Sequence, residues 1–484
     1  MNALFLTDGY KTGHHQQYPV NTTEVYSNWT PRSNRHAPAG IEKVVSFGQQ
    51  YVIQWIHDYF KKNFFDLEKD IVCDELEQEL SQYLGAPYDV SHFAALHDLG
   101  YLPIQVKSLP EGVEVPMRVP ILTVVNTLPE FYWITNFLET ILSTMLWQPM
   151  TSASIALQYR RILTKYAKLT DSANVDIVDF QGHDFSMRGM GGLQAAVLSG
   201  IGHAAVFKGS DTLPIIQSLR KYYDASDFVV GSVNATEHSV MCAGTHEDEL
   251  QTFARLLNLY PSGILSIVSD TWDLWKVLTE YLPQLKQEIL NRDGKVVIRP
   301  DSGDPVDIIC GTSLSRKRNT PQEKGVIELL WETFGGHVNR EGYKVLDQHI
   351  GAIYGDSITI ERAEAICERL EKQGFASTNV VFGVGSFTYQ FKTRDTFGFA
   401  MKATSVVVKG ERREIYKNPV TDDGVKKSAR GLLKVIRKND VFEVIDQVSE
   451  KEEKTGELKT IYVNGRFEKR IQFETIRERL KNLV

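Results

Sequence analysis

Apolar and polar positions change rhythm along this chain, and the changes outline its elements. Residues 104–127, IQVKSLPEGVEVPMRVPILTVVNT, alternate the two kinds of residue around Pro and Gly, which predicts short strands joined by hairpins. The same texture returns beyond about residue 396. There VVVKGERREIYKN, GLLKVIRKNDVFEVID and LKTIYVNGRFEKRIQF predict amphipathic strands with turns at NDV and NGR, followed by a charged helix. The middle of the chain differs. Ile155, Tyr159, Ile162, Leu163 and Tyr166 fall on one helical face. After them come strand–loop–helix units whose strands are unbroken Val- and Ile-rich runs, as in a parallel sheet covered on both faces. These runs are 175–180, 203–209, 228–233, 263–269, 295–300, 349–355 and 379–385. One helix is plain at Ala363, Ile366, Cys367 and Leu370, with Glu361, Glu364, Glu368 and Glu371 on its outer side.

Polar residues gather where these strands end. Phe185 (with Arg188), Asp211, His238, Asp270, Asp301, Asp356 and Gly385 (with Ser386) follow one another at separations of 26, 27, 32, 31, 55 and 29 residues. One strand, one helix and two loops take about 30 residues. The long separation holds a polar insertion, GTSLSRKRNTPQEKG. Seven such units predict an irregular seven-stranded α/β barrel over residues 151–394, with an active site at the carboxyl ends of its strands. An open doubly wound sheet is the alternative, because strand order is not written in the sequence. Residues 1–150 and 395–484 share the hairpin texture and are expected to form a second, discontinuous α+β domain from both chain ends.

Composition narrows the class of protein. With 42% apolar and 24% charged residues among 484, disorder and low complexity are excluded. Lys and Arg number 54 against 61 Asp and Glu, a net charge of -7, so no general basic field exists for nucleic acid or an anionic membrane. Bound phosphates would need a local cluster of cations. Cys73, Cys242, Cys310 and Cys367 stand far apart without C-x-x-C spacing, which predicts a reduced, cytoplasmic protein. The segment MNALFLTDGYK lacks the length and basic start of a signal peptide. The most apolar span, 131–148, contains Asn136 and Glu139 and predicts a buried helix rather than a membrane span.

Three strands end in acids: Asp270 in VSD, Asp301 in IRPDSGDP and Asp356 in IYGDS. Each could simply cap the helix that follows. Together, with Arg299 two residues before Asp301, they point to a site for vicinal hydroxyls or Mg²⁺. FGVGS is a glycine turn whose N–H groups could face a phosphate, and Lys392, Arg394 and Lys402 follow it closely. The P-loop, G-x-S-x-G and H-E-x-x-H sequences are absent, and histidines do not cluster with Cys or acids at zinc-ligand spacing. His238, in NATEHS, is the one histidine at a strand end, open to a capping or a catalytic reading, and Glu237 beside it could tune its basicity. In HDFSMRG, Phe185 and Arg188 are either a core ring and a surface cation, or a ring for stacking a flat heterocycle and a cation for its phosphate or carbonyl.

TDGYK, HDFSMRG, FKGSDT, SVNATEHS, SIVSDTWD, VIRPDSGDP, YGDS and FGVGS…TRD resemble, in this order, the nicotinamide phosphoribosyltransferases. These are type II phosphoribosyltransferases, related to the nicotinate and quinolinate enzymes. The resemblance extends to KNPV and the KKS segment beyond it. It implies a homodimer with active sites shared at the subunit interface. It also implies transfer of phosphoribosyl from phosphoribosyl pyrophosphate to nicotinamide, giving the mononucleotide and pyrophosphate with Mg²⁺ and coupled to ATP hydrolysis. Carried over by position, Phe185 stacks one face of the pyridine ring and Tyr10, from the partner subunit, the other, with Asp8 nearby. Asp211 accepts from the carboxamide nitrogen; Arg299 and Ser266 lie near the amide, Arg188 near the amide and the phosphates, and Arg188 and Arg299 also serve the ribose phosphate. Asp301, Gly355 and Asp356 bind the ribose. Gly385 and Ser386 form the 5′-phosphate turn, and Arg32, Arg394, Lys402, Lys417 and Lys426 (or Lys427) bind phosphates. His238 is the residue phosphorylated by ATP, and Asp270 its acidic neighbour.

An acid facing an amide –NH₂ would repel the carboxylate of nicotinate, so Asp211 favours nicotinamide. The sequence departs from the family pattern at Ser386 and Phe387, where further glycines are expected, and in the short loop TPRSNRHAPAG after Trp29. The rival readings are a nicotinate-specific enzyme and, from another class, a catalytically silent sugar-phosphate binder. An aldolase-type barrel is disfavoured, because no strand-end lysine is placed for a Schiff base.

Overall fold

The computed structural model describes every residue except 227, 314, 316, 356 and 417–428. Of the candidates, Asp356, Lys417, Lys426 and Lys427 therefore lie outside the described residues. The rest fall into two compact units.

The first unit comprises Met1–Ser154, Ser218–Ser226 and Lys392–Leu480. Its main sheet runs antiparallel in the order 411–414, 400–408, 22–30, 122–126, 104–108, 459–463 and 466–467. Thr22–Thr30 thus pairs on one side with a strand from late in the chain and on the other with an early one. Its alternation buries Trp29, which stacks on Phe399 with ring centroids 5.2 Å apart. The hairpins turn where the sequence predicts. Asn439 (φ 48°) and Asp440 (φ 61°) join Leu432–Lys438 to Val441–Val448, and Asn464 (φ 49°) and Gly465 (φ 79°) join Lys459–Val463 to Arg466–Phe467. A right-handed strand twist needs left-handed residues at both central positions, and Asn, Asp and Gly reach them most cheaply.

The second unit comprises Ile155–Gln217, Asp227–Phe391 and Lys481–Val484. It contains a curled sheet of seven parallel strands: β1 (Gly182–Asp184), β2 (Gly209–Ser210), β3 (Asn234–Ala235), β4 (Leu265–Val268), β5 (Val296–Arg299), β6 (Ile350–Tyr354) and β7 (Val380–Val384). Their order is β2-β1-β7-β6-β5-β4-β3. Just before β3, Gly231 forms a parallel bridge with Gly209 of β2. Its N–H donates to the Lys208 carbonyl at 2.8 Å, and its own carbonyl accepts from the Ser210 N–H at 3.1 Å.

Four strands stand where the apolar runs place them, and three do not. Residues 175–180 are helical, and β1 begins at Gly182. Residues 203–209 start inside the buried helix Leu193–Ala204, and only Gly209 joins β2. Residues 228–233 contribute the Gly231 bridge alone. A short apolar run reads the same in a buried helix as in a buried strand. The real strands GHD, GS and NA have poor strand composition, for a reason visible in the site. The helix Ile134–Thr170 buries Ile155, Tyr159, Ile162, Leu163 and Tyr166. Among the described residues, no helix is long and apolar enough to cross a membrane.

Candidate active site

Strand register decides which side chains meet. His183 is opposite Gly383 and Gly209, Val381 opposite Ile353, Gly351 opposite Val297, and Val297 opposite Ser266. Since side chains alternate along a strand, one face of the sheet carries His183, Phe185, Asp211, Ser266 and Arg299, together with Gly209, Gly351 and Gly383. The opposite face carries Leu265, Ile267, Val296, Ile298, Ala352, Phe382 and Val384, all buried. The glycines keep bulk off the first face. A Cβ on Gly383 would lie 2.7 Å from Phe185 Cδ2, so the phenyl ring rests directly on the β7 backbone. A Cβ on Gly209 would lie 2.7 Å from His183 Nδ1.

Asp211 follows β2. Its Oδ1 accepts from His183 Nε2 at 3.2 Å and from the Ser232 hydroxyl. Burial opposes its ionisation, but hydrogen bonds from His183 and Ser232, with the charges of His183 and Arg299, hold the carboxyl below its usual range. The fully buried Asp184 anchors this corner, accepting from the Ser186 N–H at 2.9 Å and the Thr212 hydroxyl at 2.7 Å. Arg299 Nε is buried and hydrogen-bonded to no described residue.

A second cluster lies beyond β3, β4 and β5. The His238 side chain is 45% exposed, with Nδ1 3.2 Å from the Thr271 hydroxyl. Its Nε2 lies 3.9 Å from Asp270 Oδ1 and 3.7 Å from Asp301 Oδ2. Asp270 is 5% exposed; its Oδ2 accepts from the N–H groups of Asp301 (2.8 Å) and Ser302 (2.7 Å) and from the Ser302 hydroxyl (2.6 Å). Its Oδ1 is buried without a hydrogen-bond partner among the described residues. Neither Asp270 nor Asp301 caps a helix. Capping falls to Asp273, which accepts from the N–H groups of Trp275 and Lys276, and to Asp304, which accepts from those of Val306 and Asp307. Glu237 does not touch His238; its carboxylate accepts from the Ser239 hydroxyl.

Gly355 adjoins this cluster, for its Cβ would meet Asp301 Oδ1 at 2.5 Å and Arg299 Cδ at 3.4 Å. Gly385 precedes the short helix Ser386–Gln390, where Thr388 donates to the Ile358 carbonyl at 3.0 Å. Arg188 is exposed in the turn Met187–Gly189, and Gly189 is pressed against the Ser386 hydroxyl, leaving no room for a Cβ. The turns after β1 and β7 therefore touch.

The remaining candidates belong to the first unit. Arg32 and Lys402 line one cavity of about 340 Å³ with Arg118. Burial pulls the Lys402 ammonium below its usual range, Glu139 opposes this, and Arg32, Arg394 and Lys11 add to it. Tyr10 is 65% exposed, and Asp8 accepts from the Thr140 hydroxyl at 2.7 Å. The sequence reading missed His183, Ser232, Thr271 and Gly383. A first strand at 175–180 leaves His183 outside it, so the alternation that sets His183 and Phe185 on one face does not show in the sequence. Ser232 falls inside the apolar run 228–233.

A curled parallel α/β sheet carries an aromatic ring, a partly exposed carboxylate and strand-end acids on one face and at its strand ends, and sequence comparison gives the class. The chain belongs to the nicotinate phosphoribosyltransferase (NAPRTase) family, whose profile matches residues 180–466; residues 2–106 match the profile "nicotinamide phosphoribosyltransferase, N-terminal domain". It is 52% identical over 492 residues to a nicotinamide phosphoribosyltransferase of Acinetobacter baylyi, covering 99% of this chain and 97% of that one. A Mycoplasma pneumoniae protein of the same name is 37% identical over 448 residues, covering 87% and 93% of the two chains. The fold is similar to the crystal structure of human nicotinic acid phosphoribosyltransferase (TM-score 0.58, 15% identity, 99% and 93% coverage). It is also similar to nicotinate-nucleotide pyrophosphorylase from Pyrococcus furiosus (TM-score 0.55, 16% identity, 99% and 94% coverage).

Proposed function

We propose that this chain is a nicotinamide phosphoribosyltransferase, an enzyme of NAD salvage. The pyridine nitrogen of nicotinamide forms a bond to the anomeric carbon of phosphoribosyl pyrophosphate, and pyrophosphate leaves. The observation that carries the choice of substrate is Asp211, held below the usual carboxylate range on the same face as Phe185 and Arg299. An ionised acceptor takes the amide –NH₂, and Arg299 serves the amide carbonyl. The carboxylate of nicotinate would meet like charge there. The test is turnover of each substrate with phosphoribosyl pyrophosphate; faster turnover of nicotinate would overturn the reading.

Displacement at an anomeric carbon develops positive charge on the sugar and negative charge on the leaving group. Positioning and electrostatics therefore suffice, and no covalent nucleophile is needed. Asp301, Gly355 and Asp356 hold the ribose, and Gly385 and Ser386 the 5′-phosphate. Among the described residues, no group of three or more ligating side chains is arranged for a metal. Mg²⁺ would be held mainly by substrate phosphates with one or two carboxylates, Asp301 foremost. Such an ion would neutralise charge on pyrophosphate.

ATP couples through His238: the γ-phosphoryl group passes to the imidazole, ADP leaves, and hydrolysis returns histidine and phosphate. The unpaired Asp270 Oδ1 beside the ring supports this, as an acceptor for a cationic imidazole. Finding no acid-labile phosphate on the intact protein after ATP treatment would exclude it. Arg32, Arg394, Lys402, Lys417 and Lys426 (or Lys427) bind phosphates, several of them from the partner of a homodimer, which also supplies Tyr10. The mutual crowding of Arg32, Arg394 and Lys402 supports a polyanion there. The Gly209–Gly231 bridge supports closure of the seven strands into an irregular barrel over 151–394. The antiparallel sheet built from both chain ends supports one discontinuous domain of 1–150 and 395–484. Four free cysteines support a cytoplasmic location.

A further inference from the structure

Among the described residues, Asp211 takes its side-chain hydrogen bonds on one oxygen alone. Both donors converge on Oδ1: His183 Nε2 at 3.2 Å from β1, and the Ser232 hydroxyl from the segment leading into β3. A carboxylate only accepts, so Nε2 must carry the proton. The imidazole cannot withdraw toward β2, because Gly209 has no room there even for a Cβ. Its other side lies against Phe185, ring centroids 4.6 Å apart and inclined at 42°. One buried ring therefore touches both the aromatic seat and the amide acceptor, and fixes the distance between them.

We infer that His183 and Ser232 are the positioning residues of amide selectivity: by saturating Oδ1 they leave Asp211 Oδ2 as a pure acceptor facing the pyridine substituent. The inference rests on the reading of Asp211 given under Proposed function. Its physical basis is that two hydrogen bonds to a carboxylate favour the charged form. The titratable and charged groups facing Asp211 are His183 from β1 and Arg299 from β5; Ser232 adds a neutral donor, and all three act against the effect of burial. With the donors in place, the acid is ionised throughout the working range and rejects a substrate carboxylate. With a donor removed, burial prevails and the carboxyl titrates at higher pH. A protonated Asp211 can donate to a carboxylate, so nicotinate becomes acceptable as pH falls. Selectivity in such a variant depends on pH, whereas in the wild type it does not.

The experiment is steady-state kinetics of the full-length enzyme with nicotinamide and with nicotinate, from about pH 6 to about pH 8. The variants are Ser232→Ala, His183→Phe and His183→Gln. Ser232 is exposed, so its variant folds even if the His183 variants do not. Loss of either donor is expected to raise KM for nicotinamide ~10-fold with kcat little changed. It should also lower the nicotinamide-to-nicotinate ratio of kcat/KM by ~10-fold or more, further at the acid end. The amide nitrogen of His183→Gln can take the place of Nε2, so this variant should keep most of the ratio. An unchanged, pH-independent ratio in both Ser232→Ala and His183→Phe would overturn the inference, as would a loss confined to kcat. A wild type that itself prefers nicotinate would overturn the underlying reading instead, and that failure is visible before any variant is made.

Discussion

Asp211 and Asp270 are the same residue at equivalent strand ends, yet they are built in opposite ways. Asp211 keeps a side chain 44% exposed, with its donors among the described residues gathered on one oxygen. Asp270 is 5% exposed; it ties down the loop at Asp301 and Ser302 with Oδ2 and turns a buried, unpaired Oδ1 toward His238. What a carboxylate does at a strand end therefore depends less on its presence than on which oxygen the fold has already satisfied. On the proposed reading, one end of the site chooses a ring substituent and the other holds an imidazole.

The sharpest way to break this contrast is Asp270→Ala. Two loop N–H groups and a hydroxyl lose their acceptor, so unfolding free energy should fall by about 2–3 kcal/mol and turnover by ~100-fold or more, read by urea denaturation and product formation. An unshifted midpoint would show that the loop stands without this acid. Asp211→Ala should do the reverse. Its stability cost is expected to stay under ~1 kcal/mol, while preference for the amide falls by ~100-fold. Gly383→Ala isolates the aromatic seat, since the new Cβ meets Phe185 Cδ2 at 2.7 Å and the Tyr354 carbonyl at 2.8 Å. Nicotinamide KM should rise ~10-fold, with phosphorylation of His238 by ATP unchanged. The smallest effect concerns acid stability. A carboxyl whose folded pKa is lowered stabilises the fold above its unfolded pKa, and loses that contribution as pH falls through the folded value. Discounted for exposure, Asp211→Asn should cost well under ~1 kcal/mol near neutrality and nothing at the acid end of a pH-resolved thermal melt.

Much of this could be read in the sequence, and the exceptions have one cause. The long apolar strands β4 to β7 are the ones whose outer faces need bulk, so their composition announces them. β1, β2 and β3 are only two or three residues long, and β1 and β2 each include a glycine, where space is needed for His183, Phe185 and Asp211. The same selection for space that makes the site hides its strands. Displacing β1 by a few residues was enough to conceal the alternation that puts His183 beside Phe185. The acids at Asp270 and Asp301 were visible as a series. That they do not cap was not, because the caps at Asp273 and Asp304 are equally plausible in sequence and only hydrogen bonding tells them apart.

The seat of Phe185 on Gly383 backs the aromatic ring with main chain, so the ring has no room to retreat toward β7. A wall made of side chains can change rotamer and admit a thicker guest; a strand held by neighbours on both sides cannot. On the proposed reading, with the pyridine ring stacked on Phe185, a flat aromatic carboxamide is therefore accommodated before its saturated, puckered counterpart.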